Sequence, residues 1–270
     1  MSIPANTRPL TGRPPVLKAP AGATDCHMHL YLPGYGAQPG GPSIAELATV
    51  ADYRQVQQRL SLERVVVTQS NAYQFDNRSI LQGVAEIGQE QARAIVAVAP
   101  DVTESQLDAL HAQGARGARI MQLPGGAVGM SGLAAVEARI KAFGWHLMVQ
   151  FNSREINDYA EILRAIETDY IIDHIGKFMP PVDVNDPRVD QILSLLDRGN
   201  AWVKICGGYE TSLSGGPDYA DVSPIAKRII QHAPERVIWG SNWPHVAVPR
   251  EQYPNDAEQL DALLDWADER

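Results

Sequence analysis

Two histidines separated by one residue on a strand present their rings to the same side, because side chains alternate across a strand. The chain carries such a pair in Asp25-Cys26-His27-Met28-His29, inside an apolar stretch that reads as strand. Burying two imidazoles on one face without a partner is costly, so the pair marks a site. A third imidazole lies in Asp173-His174-Ile175-Gly176-Lys177, at the end of another strand candidate. Three convergent imidazoles have two uses. They can hold zinc with an open fourth position, or they can polarise a carbonyl oxygen with no metal at all. A third segment, Trp239-Gly240-Ser241-Asn242-Trp243-Pro244-His245, adds an amide that cannot serve as a base at neutral pH and a further imidazole, His245.

Substrate-holding groups are expected at neighbouring strand ends. Arg119 ends the fourth strand candidate, where its guanidinium fork suits a carboxylate. Lys177, three residues past His174, is a second cation. Gln150 closes the fifth strand candidate, Gln69 and Asn71 lie at the end of the second, and Tyr209 follows the seventh. Amides in these places suit a polyhydroxylated ligand. His111 and His232 fall in helical stretches, and His146 opens its strand on the stability face, so these three read as structural, as do Arg93 and Arg116. Two glycine-rich loops, Pro39–Pro42 and Leu123–Val128, lack the lysine spacing of a phosphate loop and read as parts of the mouth or a lid. The G-x-S-x-G serine elbow is absent.

These residues need elements to position them. Eight short apolar runs qualify as strands: Thr24–Leu30, Arg64–Ser70, Arg93–Ala99, Gly117–Met121, His146–Phe151, Tyr170–His174, Ala201–Cys206 and Arg236–Gly240. Amphipathic stretches alternate with them, including Ile44–Leu60, Glu104–Ala112, Leu133–Ala142, Asp190–Leu196 and a last helix over DAEQLDALLDWADER. Gly114, Gly144 and Gly199 sit where helix stops are needed. Eight strand–helix units predict one α/β domain, a single (β/α)₈ TIM-like barrel over residues 23–270, after a proline-punctuated arm over residues 1–22. A doubly wound sheet is the competing architecture. In the barrel, reactive groups belong at the C-terminal ends of the strands.

Composition narrows the partners. The chain has 270 residues and a net charge of −9, which disfavours nucleic acid and anionic membrane surfaces. No apolar run approaches the ~20 residues of a membrane span, and the N-terminus lacks the apolar core of a signal peptide. Cys26 and Cys206 read as reduced core thiols. A cytoplasmic location is expected, with a small molecule as the partner.

Together, His27-Met28-His29, Asp173-His174-Ile175-Gly176 and Trp239–His245, in that order on strands one, six and eight, resemble the amidohydrolase superfamily, in its lactonase branch. A closer similarity, to sugar-acid lactone isomerases of that superfamily, lies in Tyr31–Gly34, Thr68–Ala72, Gly117–Val128, His174–Phe178 and Asn242–His245. The resemblance implies interconversion of the 1,5- and 1,4-lactones of galactarate without a metal. In hydrolytic relatives an aspartate at the place of Asn242 takes the proton of the attacking water, and losing such a base typically removes a factor of about 10²–10⁴. Lactone migration needs no water, because a tethered hydroxyl attacks with an effective molarity of about 10⁵–10⁸ M. On this reading His27, His29 and His174 polarise the carbonyl, one of them shuttles the proton, and Asn242 donates to the substrate. Tyr209 stands where the dicarboxylate lactonases carry an arginine, which fits a substrate with one carboxylate. Two competing readings stay open. One is a metal-dependent hydrolase, such as a lactonase, or a decarboxylase of the same superfamily, with zinc on His27, His29 and His174, although no lysine or glutamate stands out as a bridging ligand for a second metal. The other is a sugar-acid binding protein without turnover.

Overall fold

Apolar runs rich in valine, isoleucine and alanine become parallel strands because both of their faces are covered, one by the barrel interior and one by helices. The computed structural model describes residues 3–6, 10 and 12–268. Its strands are β1 (Thr24–Met28), β2 (Arg64–Thr68), β3 (Ala92–Val96), β4 (Ala115–Met121), β5 (His146–Gln150), β6 (Tyr170–Ile172), β7 (Ala201–Ile205) and β8 (Val237–Trp239). They pair in sequence order, all parallel. Consecutive order is the barrel solution and excludes the doubly wound sheet, in which the order reverses. Helices α1 (Val50–Leu60), α2 (Arg78–Ile87), α3 (Glu104–Ala112), α4 (Leu133–Ile140), α5 (Ile156–Ala165), α6 (Pro187–Leu196), α7 (Ser223–His232) and α8 (Asp256–Trp266) follow the strands in turn.

Local chemistry sets the boundaries. The expected helix over Ile44–Leu60 begins only at Val50. Thr49 caps it through the Asp52 N–H while the Asp52 carboxylate accepts from Thr49 N, a reciprocal capping box. Upstream, Ala48 bridges antiparallel to Tyr31, so that stretch is extended. Thr103 and Gln106 repeat the capping box on α3, and Asp186 caps α6 with Pro187 at its first position. Gly114, Gly144 and Gly199 take positive φ at the helix ends where stops were expected. Residues 1, 2, 7–9 and 11 of the expected arm lie outside the described residues. Of the rest, Asp261 of α8 accepts from Val16 and Leu17 N–H, and Pro4 accepts from Leu47 N–H.

The barrel closes along a seam between β1 and the segment after β8. Asn242 N–H donates to the His27 carbonyl and His29 N–H to the Trp243 carbonyl, both at 2.8 Å. A side chain at Gly240 would lie 2.7 Å from the His27 backbone nitrogen, so only glycine permits the approach. The β1–β2 register slips by one between Asp25 and Met28. The bulge turns Asp25 toward α1 and the seam, while His27 enters the barrel. There the Asp25 carboxyl accepts from His27 N, Ser241 N, Ser241 Oγ and Tyr53 Oη at 2.6–3.0 Å. Burial pushes its pKa up despite these four donors.

Asp25→Ala removes the acceptor from four buried donors at about 1–3 kcal/mol for each one left unpaired. We expect at least roughly 3 kcal/mol of lost stability by urea unfolding followed by circular dichroism. An unchanged midpoint would mean that the seam is held elsewhere.

Candidate active site

At the C-terminal end of the barrel lies a cavity of about 570 Å³. Its walls include His29, Asn71, Arg119, Gln150, His174, Lys177 and Asn242, seven of the residues singled out from the sequence. Four others, His27, Gln69, Tyr209 and His245, do not line it and stand behind the wall. Gln69 Nε2 donates to the Gln74 and Asp76 carbonyls and so braces the loop after β2. The glycine-rich loops meet at the mouth. Pro42 and Leu123 line the cavity, and Gln74 Nε2 donates to the Gly125 carbonyl.

Behind His29 runs a hydrogen-bond chain of fixed direction. Lys204, fully buried in β7, donates from Nζ to Asp173 Oδ1 and to His27 Nδ1, both at 2.9 Å, and reaches Met148 Sδ at 3.4 Å. His27 Nδ1 therefore accepts, and its proton is on Nε2, which donates to His29 Nε2 at 3.3 Å. His29 Nδ1 then carries a proton and donates to the Thr68 carbonyl at 2.9 Å. Burial, with the Lys204 charge, holds His27 well below its ordinary range. Burial also raises Asp173, but Lys204 and His27 outweigh it and hold the carboxyl well below the carboxylate range.

His174 opens a turn in which it, Ile175, Gly176 and Lys177 all have positive φ, between 45° and 77°. This left-handed turn sends both His174 and Lys177 into the cavity wall. Cys206 Sγ lies 3.3 Å from His174 Nδ1, and burial pushes the thiol well up, so the S–H is retained and donates. His174 Nε2 then bears the proton and lies 4.0 Å from Glu210 Oε1. A side chain at Gly207, φ 66°, would lie 2.8 Å from His174 Nδ1, so the imidazole occupies space that only glycine leaves.

Glu210, just after β7, was not singled out in the sequence. It is buried at the wall, where its Oε1 accepts from Asn242 Nδ2 at 2.6 Å and its Oε2 pairs with Lys177. Burial raises its pKa, but His174, Lys177 and Asn242 prevail and hold it down to about 2. The second Asn242 amide hydrogen goes to Tyr209 Oη at 2.7 Å. Tyr209 then donates to His245 Nδ1 at 2.9 Å, and His245 Nε2 donates to Asp256 Oδ1 at 2.8 Å. Both amide hydrogens of Asn242 thus serve the protein. Arg119 is partly committed, with Nη1 donating to the Gln69 carbonyl at 2.6 Å and Nη2 to Gln150 Oε1 at 2.9 Å. These bonds hold strand ends together, while its buried Nε has no hydrogen-bond partner among the described residues.

Among the described residues, the group whose geometry could hold a metal ion is His27, Asp173 and His174, with ligand atoms within 4.8 Å of one another. It exchanges His29 for Asp173 relative to the set expected from the sequence. Lys204 already donates to two of the three, and a second cation beside its ammonium meets like-charge repulsion. With Lys204 in place the donors do not fit a divalent ion. The remaining histidines are tied elsewhere: His111 Nδ1 accepts from Trp145, His232 pairs with Asp197, and burial holds His146 down to about 4.

These shifts give a pH dependence. Burial, with Arg119 second for His29, lowers His29 to about 3 and His174 to about 4 from 6.5. Between 6.5 and those values the unfolded chain binds protons that the folded one refuses. Glu210 adds the same sign from 4.5 down to about 2. Stability is full above pH 6.5 and falls as acid is added. Scanning calorimetry should show Tm dropping steadily from pH 6.5 to 4. A flat Tm across that range contradicts neutral buried histidines.

The Amidohydrolase family profile matches residues 24–270. D-galactarolactone isomerase of Agrobacterium fabrum is 44% identical over 262 residues, covering 96% of this chain and 89% of that protein. 4-Sulfomuconolactone hydrolase of Hydrogenophaga intermedia is 31% identical over 254 residues, covering 92% and 83%. The apo crystal structure of an Agrobacterium tumefaciens protein superposes with a TM-score of 0.88 at 44% identity, covering 93% of this chain and 91% of that one. With the barrel and its strand-end cavity in place, the chain belongs to the amidohydrolase family of enzymes.

Proposed function

We propose that the enzyme is a lactone isomerase that interconverts the 1,5- and 1,4-lactones of an aldarate, galactarate foremost, without a metal. The observation that carries the reading is Asn242. It stands in the segment just after the eighth strand with its amide locked between Glu210 and Tyr209, so the position supplies neither a base for water nor a metal-binding carboxylate. The similarity to D-galactarolactone isomerase supports the substrate class.

Lys177 meets the carboxylate that the lactone retains, and in doing so it leaves Glu210. A carboxylate that loses its ammonium partner becomes more basic. The substrate hydroxyl then attacks the lactone carbonyl carbon and passes its proton to Glu210. The carbonyl oxygen becomes an oxyanion, stabilised by the His174 Nε2–H and the Arg119 charge at the same wall. Collapse breaks the bond to the original ring oxygen, which takes the proton back from Glu210. No proton is gained or lost and no water enters. His29 shapes the wall, with His27 holding it from behind.

Proton NMR of freshly made D-galactaro-1,5-lactone with enzyme, with and without a strong chelator, tests the reading. The 1,4-lactone should accumulate ahead of free galactarate, and chelator should change nothing. Free galactarate appearing first, or loss of turnover on chelation, makes the enzyme a lactonase instead. In Asn242→Asp, two carboxylates come to lie close together and share a proton. The variant should shift product toward the free acid and slow isomerisation at least about tenfold. An unchanged product ratio removes Asn242 from the choice of reaction.

A further inference from the structure

Lys204 has no part in the steps above, yet it is fully buried at the centre of the barrel. Burying an ammonium costs several kcal/mol unless it is paired and hydrogen-bonded. Its three hydrogens meet Asp173 Oδ1, His27 Nδ1 and Met148 Sδ. Two of these partners belong to the His27–Asp173–His174 group, the described residues best arranged to hold a metal ion. Asp173 Oδ2 finds no hydrogen-bond partner among the described residues, and Arg119 Nη2 is 3.6 Å from it. The donor set is thus neutralised by a side chain of the protein itself.

We propose that Lys204 is the resident cation of this barrel: its ammonium occupies the place among His27 and Asp173 that a divalent ion would otherwise take, and by fixing the tautomer of His27 it aims Nε2–H at His29. The direction of the chain is set from its two ends. An ammonium only donates, so His27 Nδ1 must accept and His27 Nε2 carries the proton, while the Thr68 carbonyl only accepts, so His29 must offer Nδ1–H. Without Lys204, His27 is free to turn Nδ1–H toward Asp173, 3.5 Å away, and to release Nε2 as a ligand atom. Lys204 is a positioning residue, and its removal uncovers a metal site.

The inference rests on the metal-free reading of the site but is tested without lactone turnover. Zinc is titrated calorimetrically into wild type and Lys204→Ala, with folding checked by circular dichroism. Wild type should take up no stoichiometric zinc, and the variant one per chain, at least a hundredfold tighter. Zinc binding to wild type with equal affinity, or a folded variant that binds none, overturns the proposal. A second measurement needs no variant: ¹⁵N NMR of the ring nitrogens in wild type should find the proton of His27 on Nε2 and that of His29 on Nδ1. A proton on His27 Nδ1 overturns it as well. If zinc and tautomers behave as stated while the lactone is hydrolysed, the isomerase reading fails and the role of Lys204 stands.

Discussion

The ion pair of Lys204 and Asp173 lies where the barrel is driest, with both side chains fully buried. Such a pair is weak support for stability, because desolvation consumes most of the Coulomb energy. What it supplies is order. Lys204 comes from β7 and Asp173 from the end of β6, and their shared partner His27 comes from β1. One ammonium therefore ties three strands and decides which nitrogen of His27 bears a proton. His29 stands at the cavity wall in a fixed orientation because of contacts that never touch solvent.

A second chain, from Asn242 through Tyr209 and His245 to Asp256, plays the same part behind Asn242. Glu210 sits between this chain and the His174 turn and is the point where they meet. Lys177, Arg119 and Lys204 give three cations around Asp173 and Glu210, two carboxylates. The site is thus locally positive within a protein of net charge −9. An anion repelled by the surface as a whole is accepted at this one place.

The barrel was legible because short, mostly apolar runs alternate with amphipathic stretches, and Gly114, Gly144 and Gly199 mark helix ends between them. The expected start of α1 failed for a local reason: Thr49 and Asp52 cap the helix, and the stretch before them pairs with the loop after β1. The histidine pair was legible through strand parity, and despite the bulge between Asp25 and Met28 the two rings meet at 3.3 Å. Lys204 and Glu210 were not singled out. A lone lysine in Ala201–Ile205 has the parity of an inward residue, yet its meaning comes from His27, 177 positions away, and from Asp173. Asn242 was recognised as a position, but the direction of its amide depends on Glu210 and Tyr209, which only the folded chain brings to it.

The left-handed run from His174 to Lys177 has a consequence for how this enzyme can change. Residues other than glycine pay for such backbone, and Ile175, branched at its β-carbon, is among the worst suited to it. A substitution that lets the turn relax gains stability while carrying His174 and Lys177 away from the cavity. Selection for heat resistance and selection for turnover therefore pull this short segment in opposite directions. Thermostable descendants would gain their robustness in the outer helices and leave this turn as it is.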